Sequence, residues 1–213
     1  MSAKIIILQN NDKTVYQLKI TLRGVTPPIW RRIQIKSNST LYTLHNTIQE
    51  AMVWTNSHLH DFSKDGKYYG MVEEGIELAE GTLNERKHII ADVLKSEGDV
   101  LNYIYDFGDG WRHEITLEKI LKAEEQINYP ICIAGKRSCP IEDSGGSYGY
   151  MEMLKVLSDP KHEEYEECVD WAGEDYDPEY FNKDEINEIL LEISKNPNYV
   201  QDSEKNFNLM SLF

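Results

Sequence analysis

Val100-Leu101-Asn102-Tyr103-Ile104-Tyr105-Asp106-Phe107-Gly108-Asp109-Gly110-Trp111-Arg112-His113-Glu114-Ile115-Thr116-Leu117-Glu118 decides how this chain folds. From Val100 to Phe107 apolar side chains fall on both faces, the pattern of a strand covered on both sides, so the segment is read as a central strand. From Trp111 to Glu118 apolar and polar residues alternate. Trp111, His113, Ile115 and Leu117 point inward, and Arg112, Glu114, Thr116 and Glu118 point out. Asp109-Gly110 between them is a strong hairpin signal, because a type I′ turn needs positive φ at both central residues. A two-residue turn pairs Gly108 with Trp111 and Asp106 with His113. A four-residue turn pairs Asp106 with Trp111. Both registers have the same parity, so Asp106, Trp111 and His113 are expected on one face of the hairpin.

Upstream, Tyr16 to Arg23 alternates without a fault and reads as a half-buried strand. Gly24 to Pro28 breaks it, and Ile29 to Lys36 alternates again, so the two are expected to form an antiparallel hairpin. Ser39 or Thr40 then caps a helix whose stripe is Leu41, Leu44, Ile48 and Ala51/Met52. His58 to Phe62 reads as a strand, and the Asp65-Gly66 turn leads to Lys67–Met71. This β-β-α-β order predicts an α+β roll with a β-grasp-like start, a helix packed on an antiparallel sheet. Downstream, a short helix is expected near Ile89 to Leu94. Further helices are expected from Ser147 to Leu157, from Lys161 to Ala172, and from an Asp177-Pro178 cap through Ile186, Ile189, Leu190 and Ile193. The expected organisation is one domain over residues 14–195, an N-terminal extension (1–13) and a tail (196–213) with a few apolar residues, Phe207, Leu209, Met210, Leu212 and Phe213.

The 213 residues carry a net charge of −15, spread unevenly. Residues 1–137 hold 17 basic and 18 acidic side chains, whereas 138–213 hold 5 and 19. So acidic a half repels phosphate backbones, which argues against direct nucleic-acid binding through it. Cys132, Cys139 and Cys168 are an odd set without close pairs, which suggests a reducing compartment and a cytoplasmic location. Ile5 to Leu8 is too short an apolar run for a signal peptide or a membrane span.

Three clusters carry residues suited to chemistry. His58-x-His60, on one side of a strand, spaces two imidazoles for a divalent metal such as zinc; the pair also reads as two structural histidines beside a sheet edge. Asp106, Asp109, Trp111 and His113 set acids beside an inward imidazole, whose basicity and tautomer a carboxylate would fix. The other reading is a buried lock, with Asp109 as turn chemistry and Trp111 as core. Cys139-Pro140-Ile141-Glu142-Asp143-Ser144-Gly145-Gly146-Ser147 is a loop feeding a helix N-terminus. There Gly145 and Gly146 allow close backbone approach, while Glu142 and Asp143 favour a cation or a hydroxyl-bearing ligand over an anion. Cys139 reads as a thiolate ligand or, more simply, as a small core residue. The three clusters are expected to converge on one polar pocket, because residues costly to bury are concentrated in them. The metal set expected is His58, His60 and His113. No phosphate-binding loop, nucleophile elbow or His-Glu-x-x-His is present.

Several segments together carry a resemblance: Leu22 to Arg32 (Leu-Arg-Gly-Val-Thr-Pro-Pro-Ile-Trp-Arg-Arg), Leu44-His45 with Trp54, Ser57 to Phe62, Tyr105 to His113, and Cys139 to Gly146 with Gly149-Tyr150. The chain resembles the plasmid pRiA4b ORF-3-like family over about residues 14–195. The resemblance implies an α+β fold and an occurrence on plasmids, in transposons and in chromosomes, and it brings no established activity. It does not imply resolvase chemistry, which needs a serine among arginines and a basic DNA-binding tail. Ile141 stands where the family often has proline and Ser144 where it often has cysteine, which weakens a cysteine-based metal site at this loop. The resulting expectation is a cytoplasmic binding or accessory protein whose partner is a small ligand or another protein. A metal-dependent hydrolase of nuclease or phosphoesterase type and an adaptor working through the acidic helices are the alternatives.

Overall fold

A computed structural model describes residues 13–72, 79–196 and 199. Ile5–Leu8 and the apolar residues from Phe207 to Phe213 lie outside the described residues. The elements in order are β1 (Thr14–Leu22), β2 (Trp30–Lys36), α1 (Leu41–Met52), β3 (His60–Lys64), β4 (Lys67–Gly70), β5 (Leu83–Asn84), a 3-10 turn (Glu85–Lys87), α2 (Ile90–Val93), β6 (Val100–Tyr105), β7 (Trp111–Lys122), β8 (Ile131–Lys136), α3 (Gly146–Leu157), α4 (Tyr165–Ala172) and α5 (Lys183–Lys195). The strands form one sheet in the order β5-β4-β3-β6-β7-β1-β2-β8. Every pairing is antiparallel except β4 with β5. The fold is α+β, as the alternation implies.

The inward residues of β7 behave as their alternation predicts: Trp111, His113, Ile115 and Leu117 are all buried. They join Leu18, Ile20, Ile33, Leu101 and Tyr103 in a core that covers α1. Thr40 caps α1, its Oγ1 accepting the Thr43 N–H at 3.1 Å. Every residue of α1 except Thr43 is buried, including His45, Asn46, Gln49 and Glu50. Those polar groups need partners inside the molecule, and they find them on β6, in the loop after α1 and at Tyr199, whose hydroxyl meets Glu50 at 2.5 Å.

Val53 ends α1 in the left-handed region (φ 59), and its N–H reaches back to the helix carbonyls. A β-branched residue is poorly suited to that conformation. Val53→Gly is therefore expected to raise stability by about 1 kcal/mol, read as a shift of the urea midpoint at constant slope.

Several sequence expectations change: β3 starts at His60 rather than His58, which leaves His58 in the preceding loop, and α4 starts at Tyr165 rather than Lys161. β8 carries no local strand signal, because Ile131-Cys132-Ile133-Ala134-Gly135 has no two-residue polar–apolar alternation. The structure shows it pairing with β2, while α5 ties down its free side. The Asn187 carboxamide accepts the Cys132 N–H at 2.6 Å and donates to the Cys132 carbonyl at 2.9 Å, as a neighbouring strand would. The last helix starts at Lys183 with Asn182 as its cap, not at Asp177-Pro178. Asp177 instead closes a local turn on the Glu179 N–H, and Ser138 holds the carbonyls of Asp177, Pro178 and Tyr180, so the chain cannot wind there.

Candidate functional site

The β6–β7 hairpin pairs Tyr105 with Trp111 and Tyr103 with His113, leaving Asp106 to Gly110 as its loop. This odd-length loop reverses the parity expected from a two- or four-residue turn, so Asp106 does not share a face with Trp111 and His113. Asp106 takes φ 55, and its N–H donates to the Leu59 carbonyl at 2.9 Å. Its Oδ1 accepts the Gly108 N–H at 2.8 Å, and its carbonyl accepts the Gly110 N–H at 2.6 Å. The carboxylate therefore sits at the rim of the sheet, not over it.

Three loops meet at that rim: Trp54 to Leu59, Asp106 to Gly110, and Cys139 to Gly146. The Trp54 indole N–H donates to the Pro140 carbonyl at 2.9 Å, and its ring stacks 5.1 Å from Tyr105. Glu142 clamps the first and third loops. Its Oε2 accepts the Thr55 N–H (2.8 Å) and hydroxyl (2.7 Å), and its Oε1 accepts the Tyr105 hydroxyl at 2.5 Å. The Tyr105 oxygen in turn accepts the Ser57 N–H at 3.0 Å. Burial, then the Glu142 hydrogen bond, pushes the Tyr105 phenol well up. Gly146 (φ 68) lies so close to the Asp109 carbonyl oxygen that a Cβ would collide with it, so the third loop docks on the second by backbone contact. Gly145, also left-handed, caps α3.

His58 stands between two carboxylates. Its Nδ1 is 3.7 Å from Asp106 Oδ2 and its Nε2 is 3.4 Å from Asp143 Oδ1. Asp106 is 8% exposed, whereas the Asp143 side chain is 75% exposed. Among the described residues, the ligand-bearing groups within 4.8 Å of one another are those of His58, Asp106 and Asp143. Asn56, Asp106 and Asp143 all hold left-handed φ values of 55–59°. Asparagine and aspartate tolerate that region better than other side chains do, at a cost in local strain. In the same loops Asp109 Oδ2 and Ser144 Oγ are covered and make no hydrogen bond.

The other two expected metal ligands lie deeper and apart. His60 opens β3, and its Nε2 is 2.8 Å from Glu85 Oε2, with Glu85 fully buried. His45 of α1 stacks flat on it, ring centroids 3.4 Å apart. Gln49 donates to the Tyr103 oxygen at 2.9 Å, which leaves the Tyr103 hydroxyl to donate to His45 Nδ1 at 2.8 Å. His45 Nε2–H then donates to Asn56 Oδ1 at 2.8 Å, linking the core to the first loop. Burial drives His45 well down and His60 down to about 3, and it pushes Glu85 up. His113 lies between Trp54 and Tyr103, 5.4 Å from each ring, and donates from Nδ1 to the Trp111 carbonyl at 3.0 Å. Burial lowers it to about 3 as well.

Trp111 is 1% exposed and packs 5.8 Å from Trp54, as core. Cys139 points away from the rim. Its sulfur accepts from the Arg31 guanidinium at 3.1 Å and lies 3.0 Å from Met52 Sδ, and burial raises the thiol. The structure thus brings together His58, Asp106, Asp109, Glu142, Asp143 and Gly146, and leaves His60, His113, Trp111 and Cys139 inside. Thr55, Asn56 and Tyr105, which do much of the joining, are not in the sequence-derived set. Tyr105 stands in the opening stretch but reads there as one more apolar strand residue.

A model of the plasmid pRiA4b ORF-3-like protein family matches residues 14–185. The uncharacterized protein y4hQ of Sinorhizobium fredii (strain NBRC 101917 / NGR234) is 34% identical over 183 residues, which is 85% of this chain and 93% of that protein. Among solved structures, the protein of unknown function MM3350 from Methanosarcina mazei Go1 is 45% identical with a TM-score of 0.75, covering 81% of this chain and 97% of that one.

Proposed function

The chain belongs to the plasmid pRiA4b ORF-3-like family, and from that starting point we propose that it is a cytoplasmic accessory module that binds a ligand at the rim formed by its three loops. One observation carries this reading: polar groups from Trp54–Leu59, Asp106–Gly110 and Cys139–Gly146 are held against one another, and His58 and the two aspartates face each other there. Loops tied down this firmly but strained at Asn56, Asp106 and Asp143 are what a preorganised binding site requires. The two carboxylates favour a cationic or hydroxyl-bearing ligand over a phosphate. Glu142 is occupied, accepting from Thr55 twice and from Tyr105, which leaves Asp143 as the acid open to a ligand. The unpaired cysteines fit a reducing compartment, and no described helix is long and apolar enough to cross a membrane.

Amide chemical-shift mapping with a library of small amines, polyols and carboxylates tests the proposal. The expected hits perturb residues 54–59, 106–110 and 142–146. Perturbations confined to another depression would overturn it, such as the one of about 380 Å³ between Ile127, Pro130, Asn187 and Leu191. A library without a single hit at the rim would do the same.

A further inference from the structure

We infer that the rim holds a divalent first-row transition ion on His58, Asp106 and Asp143; this rests on the reading of the rim as a binding site and names its ligand. The three residues come from separate loops, and their ligand atoms already lie within 4.8 Å of one another. One imidazole nitrogen with two carboxylate oxygens is a mixed donor set. It suits manganese, iron or zinc better than magnesium or calcium, which take oxygen alone.

A second observation is independent of the clustering. The Asp106 side chain is largely covered (11% exposed), and its Oδ2 faces His58 Nδ1 at 3.7 Å, beyond hydrogen-bond range. His58 Nε2 is likewise covered and makes no hydrogen bond. Among the described residues, neither aspartate pairs with a lysine or an arginine. A covered imidazole nitrogen without a hydrogen-bond partner is costly, and a cation held between it and the two carboxylates removes that cost. The arrangement needs little movement. Asp106 is fixed by its bond to the Gly108 N–H, whereas the exposed Asp143 side chain is free to close on the ion. Three protein ligands leave coordination positions for water or for a ligand's own oxygens, so the ion would draw in carboxylate groups that the aspartates alone would repel.

The test is Mn²⁺ binding to the full-length protein stripped with chelator, followed by water-proton relaxation and equilibrium dialysis. Manganese has little affinity for thiolates, so the cysteines do not compete. One ion per chain is expected. Asp143→Asn and His58→Gln, both at accessible positions, should each weaken binding at least tenfold, while Asp175→Asn on an exposed turn leaves it unchanged. Stoichiometric binding unaffected by Asp143→Asn and His58→Gln would overturn the assignment, as would binding no tighter than millimolar. If manganese fails while the small-molecule library still maps to the three loops, the binding site stands and only its metal falls. If both fail, both are refuted.

Discussion

Lowering the pH from about 7.5 to about 5 is expected to weaken this fold by several kcal/mol. His45, His60 and His113 are buried in their neutral forms, with His60 and His113 held down to about 3. In the unfolded chain each regains an ordinary value near 6.5, so between 6.5 and about 3 the unfolded state binds protons that the folded state refuses. The contribution of these histidines is complete above 6.5 and shrinks as pH falls through that window. At about pH 5 the loss is about 2 kcal/mol for each of His60 and His113, against a typical total of 5–15 kcal/mol, and His45 adds to it in the same direction. Glu85 works in the opposite sense. Its raised value penalises the fold as pH climbs above 4.5, so acidification returns part of the loss. Urea unfolding followed by circular dichroism at stepped pH measures the net effect. A midpoint that stays level from pH 7.5 to pH 5 would show that the imidazoles are charged in the fold, and the stacked pair as described could not exist.

Trp54→Ala should cost about 3–5 kcal/mol, the range for deleting a buried aromatic. Trp54 is 1% exposed and touches Tyr105, Trp111 and His113, so the cavity would open where the core meets the rim. The indole N–H also anchors Pro140, so the substitution releases the third loop as well. Trp54→Phe separates the two effects. It keeps most of the packing and loses the anchor, at a cost of about 1–2 kcal/mol. In both variants the Cys139–Gly146 loop should become more open to limited proteolysis. If Trp54→Phe leaves cleavage there unchanged, the Pro140 hydrogen bond does not hold the loop.

How legible each part was follows from the range of the forces involved. The alternation in Tyr16–Arg23 and Trp111–Glu118 reports burial of one face residue by residue, and both strands appear with the expected faces inward. Thr40 announces α1 because a cap is a local hydrogen bond. β8 was illegible because its alignment comes from β2 and from Asn187, far along the chain. Asp177-Pro178 carries a good local start signal, yet Ser138 overrides it from the other side of the fold.

The rim divides in the same way. That Asp106, Glu142 and Asp143 sit in turn-forming, glycine-rich segments is written in the residues themselves, and such segments belong at the surface. Whether the hairpin loop has an even or odd length is not, and that one residue decides whether the acid joins His113 or His58. By itself the sequence determined β1, β2 and β7, the Thr40 cap and the acidic, cysteine-poor character of the protein, because short-range sterics and solvent exposure act on each residue where it stands. Only the tertiary structure decided which imidazole meets which carboxylate. Those distances come from packing between segments 25 to 58 residues apart, and burying a polar group is tolerable only beside whatever partner the fold delivers.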